Sequence, residues 1–328
     1  MPYVLALDAG NSKTLALIAR LNGEIIAFGR SKCGDISNRE IGSAQALGNV
    51  LDAIAEALAM AKLQPDDIIA SAFSMAGADW PEDFSYLKHA FSKYPWANNS
   101  LVINDAMGAL RASLKTGFGV AVVCGTYAVT AARAPSGKSW HASFWQETGG
   151  AFKLGQEGLK AIYRAALGID PETSLIKAIG RHLQKNSVEE ILHLMTARDS
   201  VVLESDIARL APIVLSEAAK GDASALTIVQ TQARVLADYV GVAARKVGLE
   251  HFELSLNGGV FRHPSDLLVT ALSHFVKQTY PDVQISKSDN EPVIGALLYG
   301  LEHAQINLTP GIYQNIKATL PHPSFFHT

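Results

Sequence analysis

Asp8-Ala9-Gly10-Asn11-Ser12-Lys13-Thr14 lies between two apolar runs, Tyr3–Leu7 and Leu15–Ala19. Apolar run, polar turn and second apolar run together predict a β-hairpin. The first strand ends in a carboxylate, the chain turns at Gly10, and a second strand returns. Backbone N–H groups in such a turn can cradle phosphate oxygens, and glycine permits the close approach. Asp8, at the strand end, is placed to hold a hydrated Mg²⁺ beside those phosphates. Lys13-Thr14 imitates the end of a P-loop, but a P-loop needs G-x-x-x-x-G-K-[ST] leading into a helix. Here Ser12 precedes the lysine and a strand follows.

Outward from this hairpin, strands are predicted at 3–8, 14–20 and 24–29, with Asn22-Gly23 as the turn between the last two. Leu47, Val50, Leu51, Ile54 and Leu58 keep the spacing of one helix face. Pro65-Asp66-Asp67 ends that helix, and Ile68–Ser74 reads as a buried strand. A short helix over about 82–93 follows. Leu101-Val102-Ile103 is a further buried strand, ending at Asn104-Asp105, and the next helix runs to about Leu114. Gly117-Phe118-Gly119 restarts the pattern: strand Val120–Val123, turn Gly125-Thr126, return strand Ala128–Ala132. This echo of the opening hairpin predicts two related halves. Residues 155–250 read as mostly helical, with a long helix near 222–247 stopped at Gly248. Phe252–Leu256 is a strand ending at Asn257-Gly258-Gly259. A helix, a strand at 283–286 and a helix at about 291–303 follow. The segment from Gln305 onward holds Pro310, Pro321 and Pro323, and is expected to drape on the surface or to serve a subunit contact.

The chain has 328 residues with a net charge of −3, and 48% of them are hydrophobic. Two domains with a sizeable core are expected. Lys and Arg are scattered, so nothing marks a nucleic-acid surface, and no apolar run reaches membrane-spanning length. Met1-Pro2-Tyr3 leads into a core strand without the features of a signal peptide. Cys33 and Cys124 offer neither a disulfide framework nor metal spacing. A reduced, cytoplasmic protein is the expectation. Strands alternating with helices give an α/β class, with functional turns at strand carboxyl ends.

Taken in order, several of these turns resemble those of the sugar kinase, Hsp70 and actin superfamily. Within it, the chain is similar to the N-acetylglucosamine kinase group of the BadF/BadG/BcrA/BcrD ATPases, from Leu7 to about Glu302. Asp8–Thr14 resembles the first phosphate loop, and Gly34-Asp35-Ile36-Ser37-Asn38 the sugar loop G-x-x-x-N. Ser74-Met75-Ala76-Gly77-Ala78-Asp79 is similar to G-L-A-G-A-D, and Asn104-Asp105-Ala106 to N-D-A. Cys124-Gly125-Thr126 resembles the second phosphate loop, Asn257-Gly258-Gly259-Val260 the adenosine turn, and Glu291–Ala296 the start of the closing helix. The resemblance implies a two-lobed actin-like ATPase (ribonuclease H-like) fold, α/β in class, with the active site in the interdomain cleft. It implies lobes at 1–115 and 116–328, the last helix being free to pack back on the first lobe. ATP and Mg²⁺ would be the cofactors, an amino sugar the substrate and a homodimer the assembly. Nucleotide would be held by Asp8, Gly10, Asn11, Ser12, Lys13, Thr14, Gly125, Thr126, Gly258 and Gly259. Sugar would be held by Asn38, Ala76, Gly77, Asn104 and Glu147, and Asp105 would be the catalytic base.

Two departures stand out. Tyr127 occupies the place of a loop glycine, where a positive φ would be strained. The sugar segment G-D-E-G-S-G is here Gln146-Glu147-Thr148-Gly149-Gly150-Ala151, so Glu147 replaces an aspartate. The rival readings are an ATPase that activates a dehydratase through a cysteine-ligated cluster, and a sugar sensor without turnover.

Overall fold

The computed structural model describes residues 2–146, 149–288 and 290–326. In chain order the elements begin with β1 (Tyr3–Ala9), β2 (Thr14–Arg20), β3 (Ile25–Ser31), α1 (Gly42–Ala61), β4 (Ile68–Met75), α2 (Pro81–Phe91), β5 (Ser100–Asn104) and α3 (Asp105–Ser113). There follow β6 (Gly119–Cys124), β7 (Ala128–Arg133), β8 (Ser139–His141), α4 (Ala151–Ala166), α5 (Leu175–Leu183) and α6 (Val188–Thr196). Next come α7 (Glu204–Ala208), α8 (Ala211–Ala219), α9 (Ala223–Val247), β9 (Glu253–Asn257), α10 (Leu267–Thr279) and β10 (Gln284–Lys287). The last helices are α11 (Pro292–His303) and α12 (Pro310–Ala318).

Two compact units result: Met1–Phe118 with Asn290 onward, and Gly119–Asp289. Each holds one five-stranded sheet, ordered β3-β2-β1-β4-β5 in the first and β8-β7-β6-β9-β10 in the second. In both, the first strand pairs antiparallel with its hairpin partner and parallel with the strand that follows a helix. The repeat expected from the echo of the opening hairpin is therefore a repeat of whole-sheet topology.

The first sheet is covered on both faces, which is why β1 reads as a continuous apolar run. Leu5, Leu7 and Ala9 point into a core shared with Val50, Ala53, Ile54 and Ala57 of α1. Val4 and Ala6 point into a second core built with Val293, Leu297 and Leu301 of α11 and Ile312 and Ile316 of α12. In the second unit Val120, Val122, Leu254 and Leu256 pack in one core with residues of α4, α8, α9 and α10. Helix α9 stops at Gly248 as its sequence predicts, Gly248 taking the left-handed conformation, and its start is capped by Asp222, which accepts from the Ala225 N–H (2.9 Å).

The chain from 305 onward differs from the expectation of an irregular surface tail. Pro310 starts α12 at a position where its missing N–H costs nothing. Ile312 and Ile316, one turn apart, are buried against the first sheet's outer core. The helix is pinned to the β2–β3 turn by Asn315 Nδ2 to Asn22 O (2.8 Å) and by the Ile25 N–H to Thr319 Oγ1 (2.9 Å). Two isoleucines among prolines and polar residues are too few to announce a helix by periodicity. The residues after the second sheet thus group with the first unit, not with a lobe running from 116 to the end.

Candidate active site

In the first unit, four loops meet at the carboxyl ends of β1, β4 and β5. The β1–β2 turn is closed by Gly10 N–H to Lys13 O (2.9 Å), leaving Asn11 and Ser12 exposed at the tip. No backbone acceptor among the described residues takes the N–H of either. Gly34 N–H donates to Gly10 O (3.0 Å), Ile36 N–H to Ala76 O (3.4 Å) and Ala76 N–H to Ala9 O (2.8 Å). Asn38 Nδ2 donates to Asn11 Oδ1 (2.7 Å), and Gly77 lies directly against Asp35 and Ser37. The loops holding 10–14, 34–38 and 76–79 are thereby one bonded assembly.

Within it, each residue expected from the sequence has a definite place. Thr14 is fully buried and its hydroxyl donates to Lys32 O (2.8 Å), so it braces the turn and offers no hydroxyl to a phosphate. Lys13 is held by Glu291 (3.7 Å) and by the carbonyl of Phe326. Asn38 spends its carbonyl oxygen on the N–H groups of Glu40 (2.9 Å) and Ile41 (3.3 Å), which leaves part of its amide for a ligand. Asn104 is buried and caps α3: its Oδ1 accepts from Ala106 N–H (3.0 Å) and its Nδ2 donates to Asp79 Oδ1 (3.0 Å). Asn104 therefore positions its neighbours, its Nδ2 donating to Ala78 O (3.3 Å) as well. Asp105, at the first position of α3, keeps its carboxylate partly accessible.

Asp8 and Asp105 are the electrostatic focus. Asp8 is 8% exposed, and its carboxyl is pushed up to about 7. Desolvation is the main cause, Asp105 and Glu291 add like charge, and Lys13 and a Ser74 hydrogen bond oppose them. Asp105 is also raised to about 7, first by desolvation and then by Asp35 and Asp79. Such clustering of perturbed carboxylates is a mark of a functional site.

The second unit carries the other set. The β6–β7 turn spans only Gly125, Thr126 and Tyr127, one residue fewer than the β1–β2 turn, and closes through Gly125 N–H to Tyr127 O (2.9 Å). Tyr127 is not among the positive-φ residues, so the shorter turn removes the demand for glycine there. Ala151 and Phe152, opening α4, donate to the carbonyls of Gly125 (2.8 Å) and Thr126 (3.0 Å). Gly258 has φ +100°, and a Cβ there would lie 2.4 Å from Cys124 O. Its role is thus to let β9 end against β6, while Gly259 lines a pocket of about 440 Å³. Gly125, Thr126 and Val260 share that pocket with Ala208, Pro212 and Leu215, an apolar slot beside a phosphate-type turn. Glu147 lies outside the described residues.

Comparison with known proteins decides the family. The profile of the BadF/BadG/BcrA/BcrD ATPase family matches residues 5–300. The chain belongs to this family. It is 25% identical over 307 residues to an N-acetylmuramic acid/N-acetylglucosamine kinase of Clostridium acetobutylicum, covering 91% of this chain and 98% of that protein. It is 24% identical over 313 residues to an N-acetyl-D-glucosamine kinase of Dictyostelium discoideum, covering 90% and 97%. The fold is shared with a candidate N-acetylglucosamine kinase of Chromobacterium violaceum (TM-score 0.68, 19% identity, 91% and 98% covered).

For this BadF/BadG/BcrA/BcrD ATPase, sequence reading missed Asp35, Asp79 and Glu291 as charged neighbours of the two aspartates. It also missed the pocket wall from α7 and α8. Asp35 and Asp79 sat inside recognised motifs, but nothing in their spacing says which carboxylates converge. The wall residues, among them Ala208, Ala211, Pro212 and Leu215 with Ser205 and Arg209, carry no motif. Cys124 is fully buried, and burial pushes its thiol up to about 12, so it presents no thiolate for a surface cluster. The crowding of Asp8 by Asp105 and Glu291 does suit a cation. Mg²⁺ takes one or two carboxylates and fills its shell with water and phosphate, which matches a single strand-end aspartate.

Proposed function

We propose that this protein is an ATP-dependent kinase that phosphorylates a hydroxyl of an amino sugar, N-acetylglucosamine or glucosamine. The observation that carries the reading is the pair Asp8 and Asp105. They lie at the carboxyl ends of β1 and β5 of one sheet, beside a turn whose Asn11 and Ser12 N–H groups have no backbone acceptor among the described residues. Both carboxyls are pushed up to about 7. Phosphoryl transfer asks for positioning and charge stabilisation more than for covalent chemistry.

Asp105 takes the proton of the acceptor hydroxyl as its oxygen bonds to the γ-phosphorus. The bond from that phosphorus to the β–γ bridging oxygen breaks, ADP leaves, and the proton passes from Asp105 to solvent. A carboxyl near 7 is well matched to this task, because a general base works best with a pKa near the working pH. The N–H groups of Asn11 and Ser12, and that of Thr126 in the second turn, take phosphate oxygens. The apolar slot of Ala208, Pro212, Leu215 and Val260 takes the adenine. Asp8, through water, would hold Mg²⁺, which supplies neutralisation of the phosphate charge. Asn38 and the 76–77 backbone contribute to holding the sugar, and Glu147 is retained as a sugar ligand. The same reading carries a cytoplasmic location and a homodimer, the latter tested by light scattering on the purified chain.

Coupled ADP release, measured over a panel of hexoses and amino sugars with Mg-ATP, tests the function. Highest kcat/KM on an amino sugar supports it. Turnover restricted to neutral hexoses, or none with any sugar, would overturn it.

A further inference from the structure

Nothing in the phosphate transfer uses residues 320–326, yet this segment lies on the first phosphate turn. Its single helical turn, Pro323–Phe325, is braced from within. His322 Nδ1 accepts from Ser324 N–H (3.3 Å), His322 O from Phe325 N–H (2.8 Å) and Pro323 O from Phe326 N–H (3.0 Å). The last carbonyls of such a turn have no partner within it, and basic side chains are apt acceptor-seekers there. Arg30 Nη1 donates to Phe325 O (3.1 Å), and Lys13 Nζ donates to Phe326 O.

Strand register explains why these cations meet the segment. Leu15 pairs with Arg30 and Leu17 with Phe28, so these four residues share one face of the β2–β3 ribbon. Lys13, two residues before Leu15, continues the row. Phe326 is buried in the same core as Leu15 and Leu17, and the Phe325 ring meets that of Phe28 at 4.7 Å between centroids. The segment therefore has three anchors that do not involve Lys13: the Phe326 side chain, the Phe325 ring and the Arg30 hydrogen bond. All of these residues belong to the first unit.

Among the described residues the Lys13 ammonium has two partners, Phe326 O and Glu291 at 3.7 Å. An ammonium carries three donors, so capacity for a further acceptor is left. Its charge is felt by Asp8, at the phosphate end of β1. A lysine that is mobile before binding loses rotamer freedom when it meets a ligand, and one fixed beforehand is spared that loss. We propose that Pro323–Phe326 is a strap that positions the Lys13 ammonium for a nucleotide phosphate. Loosening the strap weakens phosphate binding, and does so through Lys13. This rests on the nucleotide part of the kinase reading and deepens it.

Calorimetry on the full chain with Mg-ATP and with adenosine, which has no phosphate, tests the strap. Phe325→Ala removes the ring on Phe28, and Arg30→Met frees the Phe325 carbonyl without touching a core side chain. Each should raise the Kd for Mg-ATP about 2- to 10-fold, the cost of one newly mobile long side chain. Each should leave the Kd for adenosine unchanged. Lys13→Met should weaken Mg-ATP at least as far, and in that background Phe325→Ala should add nothing. Unchanged or tighter Mg-ATP binding in both strap variants overturns the proposal. Equal losses on adenosine overturn it too, as does a loss from Phe325→Ala that multiplies with that of Lys13→Met, since the segment would then be packing alone. Binding is read without sugar, so a wild type that binds Mg-ATP but turns over no sugar overturns the kinase reading and leaves the strap to these comparisons. A wild type without affinity for Mg-ATP overturns both.

Discussion

Asp8 near the end of β1 and Asp105 just after β5 both carry a raised carboxyl. For Asp105→Asn we expect kcat to fall about 10²- to 10⁴-fold with nucleotide affinity retained, because a base is lost and the Asn104 cap of α3 remains. Near-normal kcat by coupled assay would make Asp105 a mere first-turn acid. In the wild type, activity on the best sugar should rise with pH through about 7, as Asp105 loses its proton. A flat profile from pH 6 to 8 would remove it as the base. Asp8 shows the price of a prepared site. Its folded pKa lies near 7, well above the ordinary aspartate value of about 3.9, so the folded state keeps a proton that the unfolded chain has released. Stability is therefore lost as pH rises from about 4 to about 7, and the full penalty stands above that. Asp8→Asn should stabilise the protein at pH 8 by up to a few kcal/mol and hardly at all at pH 4. Urea unfolding at both values without Mg²⁺ or nucleotide checks this. The same variant should bind Mg-ATP more weakly than wild type.

Helices α3 and α11 meet through glycine. A Cβ on Gly295 would lie 1.9 Å from Gly108 O and 2.7 Å from Ala112 N, both backbone atoms that cannot step aside. Gly295→Ala should destabilise by about 1–3 kcal/mol through overpacking, read as a lower urea midpoint at unchanged m-value. Because Asp105 opens α3, kcat should fall with it. Helix α12 contributes differently. Ile312→Ala removes a buried side chain from the core over β1 and β2 and should cost about 2–5 kcal/mol, although the residue lies in a stretch that reads as loop.

At the scale of the whole molecule, each unit owns a sheet, packed between two cores in the first unit and on its own core in the second. Local openings follow such cores, so Ile312→Ala should raise amide exchange in β1, β2 and α11. β6 and β9, in the other core, should keep their protection. Equal loss in both sheets would show that the chain opens as one cooperative body.

Sequence alone determined what depends on neighbours along the chain. The hairpins, the buried strands, the stop of α9 at Gly248 and the strand-end aspartates are local patterns of period, turn residue and capping group, and a sequence displays these directly. Tertiary structure decided what depends on residues far apart in the chain. It chose which carboxylates crowd Asp8 and Asp105, and it gave Asn104 to Asp79 and Thr14 to Lys32. It turned Tyr127 into an ordinary residue by shortening the second turn, built a pocket wall from side chains without a motif, and folded 310–318 onto the first sheet. It also laid the Phe326 carbonyl on Lys13. Each of these outcomes is fixed by through-space packing, desolvation or charge, whose partners are not encoded at any fixed spacing.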